Sequence, residues 1–259
     1  FKLDTTPFLD PYNDHRVALD AFSIDPEYAV SDDLQLVKEN WWDFRPQLRS
    51  YRRSRPYFRY YTEREGDILY NQQNLRSFVY FDGYWQSDQY FCDIESQLRQ
   101  VLQFKHSQAS LLQTVVGDFN GPLVSLHVRR GDYVAKPHFK AVFKTCSMSY
   151  YQSAVHHFTA QFQDPLFLVF SDDTDWVQQH FSWLPNYVIV ADSAGARQDC
   201  DDLQLMSMCH HHIIANSSFS WWGAWLNSDL DKQVIMPKDW YQDESRSTDF
   251  MVPDGWIRL

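Results

Sequence analysis

From Leu123 onward the chain alternates short apolar runs of strand length with stretches of helical periodicity, and no other feature constrains its fold as strongly. Residues 123–128, 165–170, 187–190, 213–215 and 234–236 read as strands. Between them, residues 149–162, 175–181, 201–211 and 218–227 read as helices, the first capped by Ser147 or Ser149. Such alternation builds an α/β fold with a parallel, doubly wound sheet covered by helices on both faces. Ligands of open sheets of this kind sit at the carboxyl ends of the strands, so the residues that follow each strand are the ones to inspect.

The first of these strand ends carries the densest chemistry. Val124-Ser125-Leu126-His127-Val128 leads into Arg129-Arg130-Gly131-Asp132-Tyr133-Val134. Paired guanidiniums suit a phosphate group, because arginine offers planar, permanently charged donors. Gly131 reads as a residue that can take positive φ. Asp132 beside Arg130 fits either an ion pair or a general base. The strand at 165–170 ends in Asp172 and Asp173, which suit Mg²⁺ or the hydroxyls and base of a nucleoside. The strand at 213–215 ends in Asn216-Ser217-Ser218 and runs straight into a helix, whose first amides make a phosphate cradle. A hydroxyl of Ser217 or Ser218 could equally serve only as the helix cap.

Ahead of this region, Gly117-Asp118-Phe119-Asn120-Gly121-Pro122 clusters turn formers, which places a domain boundary there: an N-terminal domain over 1–118 and a ligand-binding domain over 119–259. In the first domain, Ser31-Asp32-Asp33 predicts the cap of a short helix over 34–41. Residues 45–64 hold seven arginines among tyrosines, a solvated basic face in the simplest reading and a binder of nucleic acid or acidic glycan in the other. Residues 78–87 read as a strand meeting a Gly83 turn, and 88–102 as a helix.

Composition narrows the classes. The formal charge of −11 argues against a nucleic-acid or anionic-membrane binder. Cys92, Cys146, Cys200 and Cys209 are widely spaced, which fits reduced thiols in a cytosol rather than a zinc ribbon or disulfide framework. No apolar run approaches a membrane span. His210-His211-His212 invites a metal assignment, but consecutive side chains cannot all face one ion. Arg130-Gly131-Asp132 spells an adhesion tripeptide and Asn216-Ser217-Ser218 a glycosylation sequon, both at strand ends facing a cleft. Dinucleotide, P-loop, serine-hydrolase and zinc-protease motifs are all absent.

Two blocks, His127-Val128-Arg129-Arg130-Gly131-Asp132-Tyr133-Val134 and Ile213 through Leu226 (with Asn216-Ser217-Ser218-Phe219-Ser220-Trp221-Trp222-Gly223-Ala224-Trp225), resemble the signature blocks of the α-1,2-fucosyltransferases, glycosyltransferase family eleven. Gly83-Tyr84-Trp85-Gln86-Ser87, Tyr150-Tyr151 with Ala154, and Phe170-Ser171-Asp172-Asp173 agree with it. So do Asp202-Leu203-Gln204-Leu205-Met206-Ser207 and Met236-Pro237-Lys238-Asp239-Trp240.

The resemblance implies a GT-B-like enzyme with its Rossmann-like donor domain in the C-terminal half. Such an enzyme transfers L-fucose from GDP-fucose to the 2-hydroxyl of a terminal β-galactoside, with inversion and without a metal or other cofactor. By the same resemblance Arg129 and Arg130 bind the pyrophosphate, and His127 orients the donor. One of Asp172 or Asp173 faces guanine or ribose, Ser217 and Ser218 hold phosphate oxygens beside Asn216, and Asp132 is a candidate base. The family's opening Gly-rich strand-loop, of the type G-G-L-G-N-Q-M-F, has no counterpart here. This implies either that part of the pattern precedes Phe1 or that the chain is a degenerate relative. The alternatives are a fucosyltransferase of other linkage or protein acceptor, and a non-catalytic glycan- or nucleotide-binding relative. A bacterial-type cytoplasmic location is expected, or the Golgi lumen if an anchor has been lost.

Overall fold

The structure is a computed structural model that describes residues 2–6, 17–33, 58–62, 78–191 and 199–259. It divides into two compact units, Phe1–Gln103 and Phe104–Leu259. In the first, β1 (Lys2–Leu3) pairs in parallel with β2 (Glu27–Tyr28), and β3 (Phe58–Thr62) with β4 (Phe78–Asp82). The helix expected over 88–102 is shorter. Residues 88–90 and 92–94 form two 3₁₀ turns, and α1 spans only Glu95–Val101. Phe91, at φ −139° and ψ 13°, interrupts the run. The helix predicted over 34–41 and most of the arginine-rich stretch 45–64 lie outside the described residues.

The second unit contains α2 (Ala109–Val116), β5 (Leu123–Val128), α3 (Gly131–Ala135), α4 (Pro137–Val142) and α5 (Met148–Gln161). It continues through β6 (Leu166–Ser171), α6 (Thr174–His180), β7 (Tyr187–Ile189), α7 (Asp199–Ser207), β8 (His211–Ile213), α8 (Ser218–Leu226), β9 (Val234–Met236) and β10 (Ile257–Arg258). Its sheet has six strands in the order β10-β9-β8-β5-β6-β7, every pair parallel. Numbered within the unit this is 6-5-4-1-2-3, the doubly wound Rossmann order.

Every residue of β5 is buried, as expected of a parallel strand covered on both faces. The period of two splits it cleanly. Val124, Leu126 and Val128 join α5 and α6 in one core through Tyr151, Phe158, Val177 and Phe181. Leu123 belongs to the opposite core, where β6 residues Leu168 and Phe170 meet Leu205 and Met206 of α7 and Leu112 and Val116 of α2. Because α2 covers this second face, it packs with the C-terminal unit although it precedes the Gly-rich 117–122 stretch.

The histidine trio is structural, and each ring serves a different partner. His210 Nδ1 accepts from the Leu123 amide (2.9 Å) and His211 Nδ1 from the Gln233 amide (3.1 Å). His212 bridges Ser125 Oγ and the Asn227 amide, both at 2.8 Å. Among the described residues no helix is long and apolar enough to cross a membrane.

Candidate functional site

The chain winds from β5 out through β6 to β7, then returns to lay β8 on the other side of β5. The gap between the carboxyl ends of β5 and β8 is therefore the topological switch point, where neighbouring connections diverge and leave a crevice. Arg129 and Arg130 follow β5 directly. Asn216, Ser217 and α8 follow β8 by way of Ile214 and Ala215. The two signals singled out from the sequence face the same crevice from adjacent strands.

Both arginines are fixed by the next strand's end. Arg129 Nη1 lies 2.8 Å from Asp172 Oδ2, and its Nη2 lies 3.4 Å from Asp132 Oδ2. Asp172 Oδ1 also accepts the backbone N–H of Arg130 at 2.8 Å, so one carboxylate grips both residues. Arg130 donates from Nε to Asp173 Oδ2 (3.1 Å), while Asp173 Oδ1 caps α6 by accepting from the Trp176 amide (3.1 Å). The arginine side chains remain about a fifth exposed (22% and 21%), enough for a ligand to reach them. Asp132 is shared with Lys136 Nζ at 3.1 Å. Asp172 and Asp173, expected to face a nucleoside or a metal, hold the arginines in this structure, with their side chains still 25% and 34% exposed.

Gly131 is not in the left-handed region, where only Gly117 and Gly255 among the described glycines sit. Its absent side chain serves a different purpose. A Cβ there would lie 2.5 Å from Asp172 Oδ2, so the glycine lets the carboxylate come close enough to reach both arginines.

Asn216 is fully buried and its amide is used up. It donates to the Lys144 carbonyl (2.5 Å) and the Trp240 carbonyl (2.9 Å), and accepts from the Cys146 thiol (3.6 Å). It shapes the loop rather than meeting a ligand with its side chain. Ser217 occupies the cap position of α8 but its hydroxyl makes no capping bond, and Ser218 is exposed. The opening amides of α8 therefore lack a side-chain cap, as an anion cradle requires.

His127 is 5% exposed and its Nδ1 has no hydrogen-bond partner. Burial, reinforced by the positive Arg129, lowers its pKa to about 3, so the ring is a neutral imidazole packed 5.7 Å from the Phe219 ring of α8. A buried, unsatisfied ring nitrogen costs free energy unless something completes it, and here it stands at the strand end next to the arginines.

Three tyrosines from the blocks quoted above, to which the sequence assigns no role, support the site. Tyr133 OH donates to the Asn216 carbonyl (2.9 Å), tying the α3 turn to the β8 loop. Tyr151 OH donates to the His127 carbonyl (3.2 Å), and Tyr150 OH to the Ile214 carbonyl (2.6 Å). Burial raises both phenols well above their usual range, which keeps them as donors. On the same carboxyl edge, a cavity of about 680 Å³ lies among Lys144, Ser147, Ser153, Lys238 and Gln242. Among the described residues no group of three or more His, Cys, Asp or Glu side chains comes together as a metal site.

The sequence model of glycosyl transferase family 11 matches residues 60–259. The O-antigen biosynthesis glycosyltransferase WbnK of Escherichia coli is 39% identical over 140 residues, which is 54% of this chain and 45% of that protein. An Escherichia coli alpha-1,2-colitosyltransferase is 34% identical over 193 residues, 72% of this chain and 64% of that protein. The galactoside alpha-(1,2)-fucosyltransferase 1 of Sus scrofa is 32% identical over 135 residues, 51% of this chain and 36% of that protein. The matched stretch spans less than two thirds of the length of each of these relatives.

Proposed function

Because the chain belongs to glycosyl transferase family 11, we propose that it transfers L-fucose from GDP-fucose to the 2-hydroxyl of a terminal galactoside, with inversion at the anomeric carbon. The observation that carries this reading is the meeting of Arg129, Arg130 and the uncapped start of α8 at the switch point of a Rossmann-order sheet. That arrangement suits a pyrophosphate spanning two strand ends.

In this reading the guanidiniums offset the charge that builds on the GDP leaving group as the glycosidic bond breaks. Because both are held by carboxylates before the donor arrives, little reorganisation is needed during the reaction. The α8 amides, with Ser217 and Ser218, take the remaining phosphate oxygens. His127 completes its free Nδ1 on the donor as a neutral group. Asp132 accepts the acceptor's hydroxyl proton on a lone pair not taken by Arg129 or Lys136. The positive charge for the leaving group comes from arginine, so the reaction needs no metal.

The test is turnover of GDP-fucose with a lactose-type acceptor, with linkage analysis of the product. Arg129→Ala and Arg130→Ala should each lower donor affinity and turnover together; unchanged kinetics in both would overturn the assignment. GDP binding without transfer would favour a non-catalytic relative. A second reading is a colitosyl donor, favoured by the 34% identity over 72% of this chain to the colitosyltransferase. Competition between GDP-fucose and a GDP-linked colitosyl donor separates the two.

A further inference from the structure

Arg130 has a support that charge alone does not supply. Its guanidinium carbon lies 3.9 Å from the centre of the Trp176 ring, well inside the distance at which a cation is drawn to an aromatic face. The indole belongs to α6, two residues into the helix that Asp173 caps, and the same Asp173 takes Arg130 Nε at 3.1 Å. One helix start therefore fixes the side chain twice, at Nε through the cap residue and on the face of the guanidinium through the ring.

The ring is itself held. His180, one turn later on α6, stacks on it at 4.5 Å with an interplanar angle of 17°, and its Nδ1 meets the Trp176 carbonyl at 2.8 Å. The fully buried Phe181 meets the ring edge-on at 5.8 Å, which anchors the indole to the core beneath. With Nε bonded and one face covered, the torsions of a long, flexible arginine are restrained while its terminal Nη groups make no hydrogen bond among the described residues. An arginine that starts in this position loses less conformational freedom when it takes an anion bidentately.

We propose that Trp176 is a positioning residue for the donor phosphate, acting through Arg130 by holding the guanidinium in its binding pose. This rests on the reading that Arg130 meets the donor's pyrophosphate. Trp176 touches no donor atom in this scheme, so its whole effect on binding should pass through one side chain.

That dependence gives the test. GDP is titrated calorimetrically into the full chain carrying no change, Trp176→Leu, Trp176→Phe, Arg130→Ala, or Trp176→Leu with Arg130→Ala. Trp176→Leu should weaken GDP between about threefold and thirtyfold, the range of a cation–aromatic contact. Trp176→Phe should recover part of the loss, since an aromatic face remains. In the Arg130→Ala background, Trp176→Leu should cost nothing further. Equal GDP affinity for Trp176→Leu and the parent overturns the proposal. So does the same loss in both backgrounds, because a merely structural tryptophan would show it.

The Arg130 Nε–H signal in an NMR spectrum, assigned by Arg130→Lys, provides a readout that needs no ligand. It should be displaced by the ring current and slow to exchange in the parent, keep part of that displacement in Trp176→Phe, and lose it in Trp176→Leu. If the parent fails to bind GDP, the donor reading falls by itself, and this signal still decides the positioning. An undisplaced, fast-exchanging Nε–H in the parent overturns it.

Discussion

Replacing Gly131 by alanine should uncouple binding from stability, and the geometry gives the size of the effect. The new Cβ would sit 2.5 Å from Asp172 Oδ2, whereas ordinary contact begins near 3.4 Å. The carboxylate must therefore retreat by about 1 Å. Its 2.8 Å contacts to Arg129 Nη1 and to the Arg130 amide then stretch to about 3.8 Å, beyond hydrogen-bonding distance. For stability this is modest. The pair is partly solvated, with side chains 22% and 25% exposed, so its loss costs about 1 kcal/mol or less. Alanine in place of glycine in the first turn of α3 returns a similar amount through helix propensity. The melting temperature should move by no more than about 4 °C. Binding has no such compensation. Arg129 loses the partner that aims it, and a displacement of about 1 Å in a positioned group can cost on the order of a hundredfold. Calorimetric titration of GDP beside thermal denaturation reads both quantities on one sample. A loss of GDP affinity of about ten- to hundredfold with a nearly unchanged melting temperature is expected. Full affinity in Gly131→Ala would show that Asp172 does not aim the arginines, and the reasoning would fail.

Asn216→Ala removes two donors to buried carbonyls and should cost about 2–4 kcal/mol, read from the urea midpoint; a loss below about 1 kcal/mol would mean that water replaces the amide. Two buried histidines set a pH dependence. His127 and His212 have folded pKa values of about 3 against the ordinary 6.5, chiefly through burial. The unfolded chain takes up both protons below about pH 6.5 and the folded chain does not. Stability is therefore complete above that pH and falls toward pH 3, by up to about 1.4 kcal/mol per pH unit for each ring. Urea midpoints at about pH 7.5 and about pH 5 should differ accordingly, and equal midpoints would contradict the neutral rings. Turnover should survive a chelator, because the arginines supply the charge that a metal otherwise would; loss of turnover restored by added Mg²⁺ would reverse that assignment.

The parts of this fold that could be read from the sequence are those where local pattern and tertiary environment agree. β5 runs where the sequence places it because a strand-length, mostly apolar run, with Ser125 and His127 its only polar members, has one comfortable place between turn formers and charged residues, the middle of a parallel sheet. β8 shows the opposite case. The apolar run 213–215 suggested a strand there, yet pairing occupies His211–Ile213. The two histidines can lie in the sheet because their ring nitrogens meet Gln233 and Ser125, partners that only the folded chain brings near. α3 was invisible for a related reason. Its Asp-Tyr-Val-Ala run has no helical period, and it is held by the Tyr133 hydroxyl on Asn216 and by Tyr133 stacking on Phe143 at 4.8 Å. β10, two residues long, has no period at all to read.

The strand-end aspartates were located correctly, but their work was not legible, and register explains why. β5 and β6 pair in parallel with His127 opposite Phe170 and Val128 opposite Ser171. Carrying that register two residues past the sheet sets Arg129 beside Asp172 and Arg130 beside Asp173, the two ion pairs that form. Once the strands are known to be parallel neighbours, an Arg-Arg end and an Asp-Asp end aligned in this way must neutralise each other before either can serve a ligand. The sequence alone shows both ends but not that they adjoin. The consequence is chemical as well as structural. Two adjacent like charges repel, so without the carboxylates the arginines would splay into solvent and lose the shared direction that a pyrophosphate needs. With them, the site is close to neutral when empty and has an arrangement of donors already set when the phosphates arrive. By this reasoning Asp172→Asn should impair donor binding more than Asp173→Asn does. Asp172 restrains both arginine positions, whereas Asp173 shares the hold on Arg130 with the Trp176 ring. GDP titration of the two variants ranks them, and the reverse order would place the control of the site in Arg130 rather than in the carboxylate that grips both.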